Sequence, residues 1–161
     1  MKSAKTAKQK IVKQYWLLKS ECYSIDALKQ DKKTPWTGVR NYQARNFMRD
    51  SMSVGDEVLF YVSNGDPSGI YGLAKVVSKP HTDMTALDKK DAHYDPKSTK
   101  DKPIWECVDI GFIKKFKEPI ALSYIKLDPK LDGMAVRQVG SRLSVQPVSR
   151  EHFEYVVKKL A

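Results

Sequence analysis

A chain of 161 residues, 41% hydrophobic and 30% charged, can bury one core but not two, and this mixture excludes a disordered chain. No apolar run approaches the roughly 18 residues that cross a bilayer, the lysine-rich start lacks the apolar stretch of a secretory signal, and Cys22 and Cys107 form no C-x-x-C pair. The formal net charge is +10, yet Lys2, Lys5, Lys8, Lys10, Lys13 and Lys19 all precede the first acidic residue, leaving 23 of the 29 basic side chains against all 19 acidic ones. The composition therefore predicts a flexible Lys-rich tail over 1–13 and a single, mildly basic domain over 14–161. It also predicts a cytoplasmic protein (nuclear in a eukaryotic source), with no membrane segment, no metal and no cofactor.

The elements follow in chain order. "QYWLLKS" (14–20) reads as a buried strand. Ser24 is placed to cap a short helix through "IDALKQD", with Asp26 favourable in its first turn. Asn41 to about Asp50 suits a helix that ends before Gly55. "EVLFYVS" and "GIYGLAKVVS" are β-rich runs separated by the turn signals of "NGDPSG". Residues 80–103 are polar and punctuated by proline, which predicts a long excursion with one helical turn near Thr85 to Lys90. "IWECVDIGFI" (104–113) alternates as a strand does, a helix is expected from Ser123, and "LSVQPV" (143–148) is the last strand. Ser149 then caps a C-terminal helix whose Phe153, Val156, Val157 and Leu160 form one apolar stripe. Strands with helices inserted between them predict a small α+β barrel.

The arginines are segregated. All six lie in two windows, Arg40, Arg45 and Arg49 in one and Arg137, Arg142 and Arg150 in the other, while the remaining basic residues are lysines. Guanidinium forks suit phosphate oxygens and base edges, so the two windows are expected to share one face. On a regular helix Asn41, Arg45 and Arg49 would fall on one stripe. Trp36 sits among loop-forming residues, "KKTPWTG", a setting that predicts a pocket wall rather than a core ring. For catalysis the signals are poor: His81, His93 and His152 are scattered, and no nucleophile elbow, zinc helix, Walker loop or dinucleotide fingerprint is present. The stretch "DAHYDPKS" reads as a turn.

"YWLLKSE", "WTGVRNYQARNFMRDSMSVGDEVLFYVSN", "GIYGLAKV", "DAHYDPKS", "IWECVDI" and "SRLSVQPV" occur in that order and together closely resemble the EVE domain family, from about Tyr15 to Leu160. The resemblance implies a PUA-like fold: a small β-barrel of five to six strands with inserted helices and a C-terminal helix. Because EVE domains look like the YTH readers of methylated adenine, it further implies a non-catalytic, monomeric binder of DNA or RNA. A modified cytosine or adenine would be flipped into an aromatic-walled pocket.

Carried over by position, the resemblance makes Trp36 a wall, Lys19 and Ser20 the floor, and Thr37 and Asn41 the groups on the base edge. Tyr61 and Ser63 would approach from the next strand, and Ser144 would close the site. Arg40, Arg45, Arg49 and Arg142 would hold flanking phosphates. This chain has Val62 where the family commonly has His, and its link from Glu21 to Tyr23 is shorter than the usual proline-containing form. Two other function classes compete. One is a nuclease like some PUA/ASCH relatives, built on Lys19, Tyr61 and Arg142; the other is a protein-interaction adaptor whose basic tail holds nucleic acid.

Overall fold

The computed structural model describes residues 12–140 and 142–161, so the expected tail lies outside the described residues except for its last two positions. Of these, Lys13 pairs with Glu57 at 2.9 Å. The strands are β1 (Tyr15–Ser20), β2 (Lys33–Pro35), β3 (Glu57–Val62), β4 (Gly69–Val76), β5 (His81–Thr82), β6 (Glu106–Cys107), β7 (Asp109–Ala121) and β8 (Val145–Val148). The helices are α1 (Ile25–Asp31), α2 (Tyr42–Asn46), α3 (Leu122–Leu127) and α4 (Arg150–Tyr155). α2 and α4 each run on into a wider π turn, over Phe47–Ser51 and Val156–Leu160.

Six strands form a curled half-barrel in the order β2-β7-β4-β3-β1-β8, and β5 and β6 form a separate pair. β1 and β3 run parallel, and the other neighbours in the sheet are antiparallel. A parallel pair needs a crossover, and α1, β2 and α2 supply it. Alternation along the strands then fills two cores. Trp16, Leu18, Val58 and Phe60 pack on one face with Ile25 and Leu28 of α1 and with Ala44 and Met48 of α2 and its π turn. Leu17, Leu59, Tyr61 and Ile70 pack on the other face with Ile125, Leu131, Phe153 and Val156. Being covered on both sides, β1 reads as a near-continuous apolar run.

Local chemistry explains the element ends. The Ser24 hydroxyl accepts the Ala27 N–H at 3.0 Å, and the Ser149 hydroxyl accepts that of His152 at 3.1 Å, so both predicted caps form. The single strand expected over 104–113 is divided, Glu106–Cys107 pairing with β5 as β6 and the rest continuing to Ala121 as β7 in the large sheet. Its exposed lysines face solvent while Phe116 and Ile120 stay buried, and shifts in the β4–β7 register absorb the irregular stretch around Pro119. α3 starts at Leu122, one residue earlier than expected, with no side-chain cap. Among the described residues no helix is long and apolar enough to cross a membrane.

Candidate functional site

Parallel pairing brings the carboxyl ends of β1 and β3 to the same edge, with Lys19 opposite Tyr61 and Ser20 opposite Val62. The chain leaving β3 stays close, since the Ser63 N–H donates to the Ser20 carbonyl at 2.8 Å. The segment leading into β8 joins from the other side, where the Lys19 N–H donates to the Ser144 carbonyl at 2.8 Å. Lys19, Ser20, Tyr61, Ser63 and Ser144 therefore form one strip across three segments of chain.

Alternation divides this strip between the two faces. Ser20 and Val62 lie on the face of Trp36 and Phe60, whereas the Lys19 ammonium sits 6.0 Å from the centre of the Tyr61 ring on the other. Lys19 and Ser20 are thus not one floor, because neighbours in a strand point opposite ways. Desolvation lowers the Lys19 pKa and raises that of the Tyr61 phenol. The Ser20 hydroxyl closes the short link that follows it, accepting the Tyr23 N–H at 3.0 Å and donating to the Tyr23 carbonyl.

Trp36 departs from its expected setting. Its ring is only 7% exposed and meets Phe60 edge-on, with centroids 5.7 Å apart and planes at 79°. It belongs to the core, and the Trp36 backbone N–H donates to the Val108 carbonyl at 2.8 Å. Thr37 beside it is exposed. Gly38 has φ 85°, a conformation that favours glycine, and a Cβ there would lie 2.9 Å from the His93 ring, which would have to shift.

Asp83 organises this loop. Although buried, it accepts the Gly38 N–H at 2.8 Å, the Arg40 guanidinium at 3.0 Å and the Thr85 hydroxyl at 2.6 Å. Burial pushes its carboxyl up, but the hydrogen bonds from Thr85, Gly38 and Arg40, with the Arg40 charge, hold it below the usual range. Arg40 also donates to the His93 carbonyl at 2.7 Å and to the Thr85 hydroxyl at 3.2 Å. Its guanidinium is committed to bracing residues 36–41 against the 83–95 excursion.

Asn41 is exposed and caps α2, its side-chain oxygen accepting the Ala44 N–H at 2.9 Å. The π turn that follows is closed by the Met52 N–H on the Phe47 carbonyl at 2.9 Å, which breaks the regular stripe expected through Arg49. Arg45 donates to the Ile104 carbonyl at 2.9 Å and to Asn46 at 2.7 Å. Arg49 pairs with Asp50 at 2.8 Å. In the second window Arg137 pairs with Asp132 and Arg150 with Glu154, while Arg142 is exposed and, among the described residues, makes no ion pair. α2 and its π turn pack on β8, the strand that follows Arg142, whereas Arg150 borders a cavity at the opposite end of the sheet.

The structure assembles groups that sequence reading kept apart. His81 lies 2.7 Å from Asp109 and 4.0 Å from the Cys107 sulfur, a nucleophile–base–acid set in outline. Cys107 is fully buried, however, and burial pushes its thiol up to about 12, so it is protonated at neutral pH. Tyr42, Trp105 and Asp83 were not singled out in the sequence either; their partners are distant in the chain. A cavity of about 500 Å³ opens at the opposite end of the sheet, between Lys13, Tyr15, Pro147 and Arg150, away from this strip.

Comparison with known proteins gives this geometry a context. Thymocyte nuclear protein 1 from Gallus gallus is 41% identical over 92% of this chain and 69% of its own length, and the Homo sapiens protein is 39% identical over 89% and 72%. A hypothetical protein from Leishmania major has a TM-score of 0.87 at 48% identity, covering 91% of this chain and 93% of that one. Human THYN1 protein, solved in complex with 5-methylcytosine-containing DNA, has a TM-score of 0.82 at 38% identity, covering 89% and 95%. At the level of fold alone, the YTH domain of Zygosaccharomyces rouxii MRB1 has a TM-score of 0.51 at 16% identity, in keeping with a PUA-like architecture. The EVE domain model matches residues 14–159, and the chain belongs to that family.

Proposed function

We propose that the protein is a non-catalytic, monomeric nucleic-acid-binding module that takes one modified base into a recess beyond the carboxyl ends of β1 and β3. The observation that carries this reading is the likeness to human THYN1, whose structure includes 5-methylcytosine-containing DNA, over nearly the whole chain. The recess is proposed there because the place lies outside the carboxyl ends of parallel neighbours, the position expected of a ligand site. Its polar groups are uncharged, namely the Thr37 hydroxyl, the Asn41 amide, Ser63 and Ser144, with Ser20 shaping the rim and Val62 giving apolar surface. Trp36 would offer the small exposed part of a core residue as a wall. A flipped base would sit against it. Arg45, Arg49 and Arg142 serve flanking phosphates, and Arg40 braces the loop. Lys19 and Tyr61 support the site from the opposite face of the sheet.

The nuclease reading draws on one feature, the lowered pKa of Lys19. Against it, Tyr61 is shifted towards its neutral form and the pair lies across the sheet from Trp36. Fluorescence anisotropy across modified and unmodified cytosines and adenines, single- and double-stranded, tests the proposal. The expected result is tighter binding of one modified base with the oligonucleotide recovered intact after overnight incubation. Equal affinity for every base, or cleavage, rejects it.

A further inference from the structure

Tyr42 begins α2 immediately after the capping Asn41, and its ring stays outside the core at 58% exposure, whereas Ala44 and Met48 are buried. It stacks on Trp105, with centroids 4.9 Å apart and planes 17° from parallel. Trp105 is fixed beneath it: the indole N–H donates to Asp95 at 2.7 Å, and the Trp105 carbonyl accepts the Asp83 N–H at 2.9 Å. The Arg40 guanidinium lies 5.2 Å from the centre of the Trp105 ring. That of Arg45 lies 4.9 Å from the Tyr42 centroid and 5.8 Å from the Trp105 centroid. A group so nearly equidistant from two stacked rings stands beside the stack, not on its outer face. Tyr42 thus has an occupied inner face, a fixed positive charge on its flank and an outer face open to solvent.

We infer that the outer face of Tyr42 is a stacking platform for an unpaired nucleobase next to the one held in the recess. The proposal rests on the nucleic-acid reading above and extends it to a second base. A nucleobase fits better than a protein surface, because Asn41, Gln43 and Asn46 around the ring are polar and exposed. A protein interface would need a wider apolar core there. The adjacent Arg45 suits the phosphate that a neighbouring nucleotide carries. Holding Tyr42 in place before binding reduces the ordering cost of the stack.

The test uses a single-stranded DNA oligonucleotide with one 5-methylcytosine, read by fluorescence anisotropy. Tyr42→Leu keeps apolar cover over Trp105 but removes the aromatic face, and should weaken binding about tenfold; Tyr42→Phe should stay within about twofold of the parent. An abasic sugar on one side of the 5-methylcytosine should weaken the parent protein by a similar factor and leave Tyr42→Leu unaffected. The platform is overturned if Tyr42→Leu binds as the parent does, or if abasic sugars on both sides are harmless. If Tyr42→Leu folds poorly, the abasic series on the parent protein decides alone. Should Trp36→Phe lose discrimination while Tyr42→Leu is silent, the platform falls and the recess stands. If the parent protein binds no oligonucleotide at all, both fall together.

Discussion

Trp36 belongs to the core and, in the proposed function, also to the recess, so its burial governs how it must be probed. Trp36→Ala should cost about 3–5 kcal/mol of stability, the usual loss for emptying a large aromatic site, and any binding defect would then be confounded with unfolding. Trp36→Phe keeps an apolar ring against Phe60 and reduces stacking area. It should fold with a modest drop in Tm and lose most of the preference for the modified base; an unchanged preference would leave Trp36 a core residue and no more. Asp83 yields a prediction in pH. Its folded-state carboxyl is held below the usual range, so it contributes stability that is present above the unfolded value, about 3.9, and lost as pH falls through the lower folded value. Thermal melts from neutral pH into acid should therefore fall more steeply for the parent protein than for Asp83→Asn. Because Asp83 holds the Gly38 backbone N–H and the Arg40 guanidinium, Asp83→Asn should also weaken base binding at neutral pH. Parallel acid limbs for the two proteins would count against this account.

At the scale of the element, α2 shows what the sequence made legible and what it did not. Its start was legible because Asn41 precedes helix-forming residues, and the Asn41 oxygen does accept the Ala44 N–H. The cap uses only that oxygen, which leaves the amide N–H groups for a base edge. Asn41→Asp and Asn41→Ser both retain a capping oxygen and remove the amide, so both should melt within about 1 kcal/mol of the parent and lose preference for the modified base. If both keep that preference, Asn41 is a cap and nothing more. β1, β3 and β4 were legible from their apolar runs, and the C-terminal helix from its stripe. The π turn at Phe47–Ser51 was not, because one extra residue in a turn leaves no pattern in a short segment. β2 has three residues and no periodicity; it is a strand because β7 offers an edge. The end of β7 was hidden by lysines that a one-sided strand carries easily. For the site, the strip of Ser20, Ser63 and Ser144 followed from a recognisable motif. The division of Lys19 from Ser20 follows from strand alternation, which a transfer of positions from the family does not take into account. Arg40 could not be separated from the other arginines in the sequence, since its partner Asp83 is 43 positions away.

Across the whole molecule, the basic charge divides into groups with different expected effects on binding. Of the six lysines before Glu21, Lys2, Lys5, Lys8 and Lys10 lie outside the described residues, and charge carried there would act on any phosphate alike. Arg142 is exposed and, among the described residues, free of ion pairs, so it can meet a phosphate without first giving up a partner. Arg40 is the opposite case, its donors taken by Asp83, Thr85 and His93. Affinity measured against salt concentration separates the three. Arg142→Gln should reduce the slope of log affinity against log salt by about one unit, equally for modified and unmodified DNA. Deleting residues 1–11 should reduce the slope by up to several units while leaving the ratio of modified to unmodified binding unchanged. Arg40→Gln should leave the slope alone, lower Tm and erode the ratio, because it loosens the loop that carries Trp36, Thr37 and Asn41. A slope that responds to Arg40 as it does to Arg142 would mean that Arg40 leaves Asp83 on binding to hold a phosphate itself, and the brace would have to be redrawn as a switch.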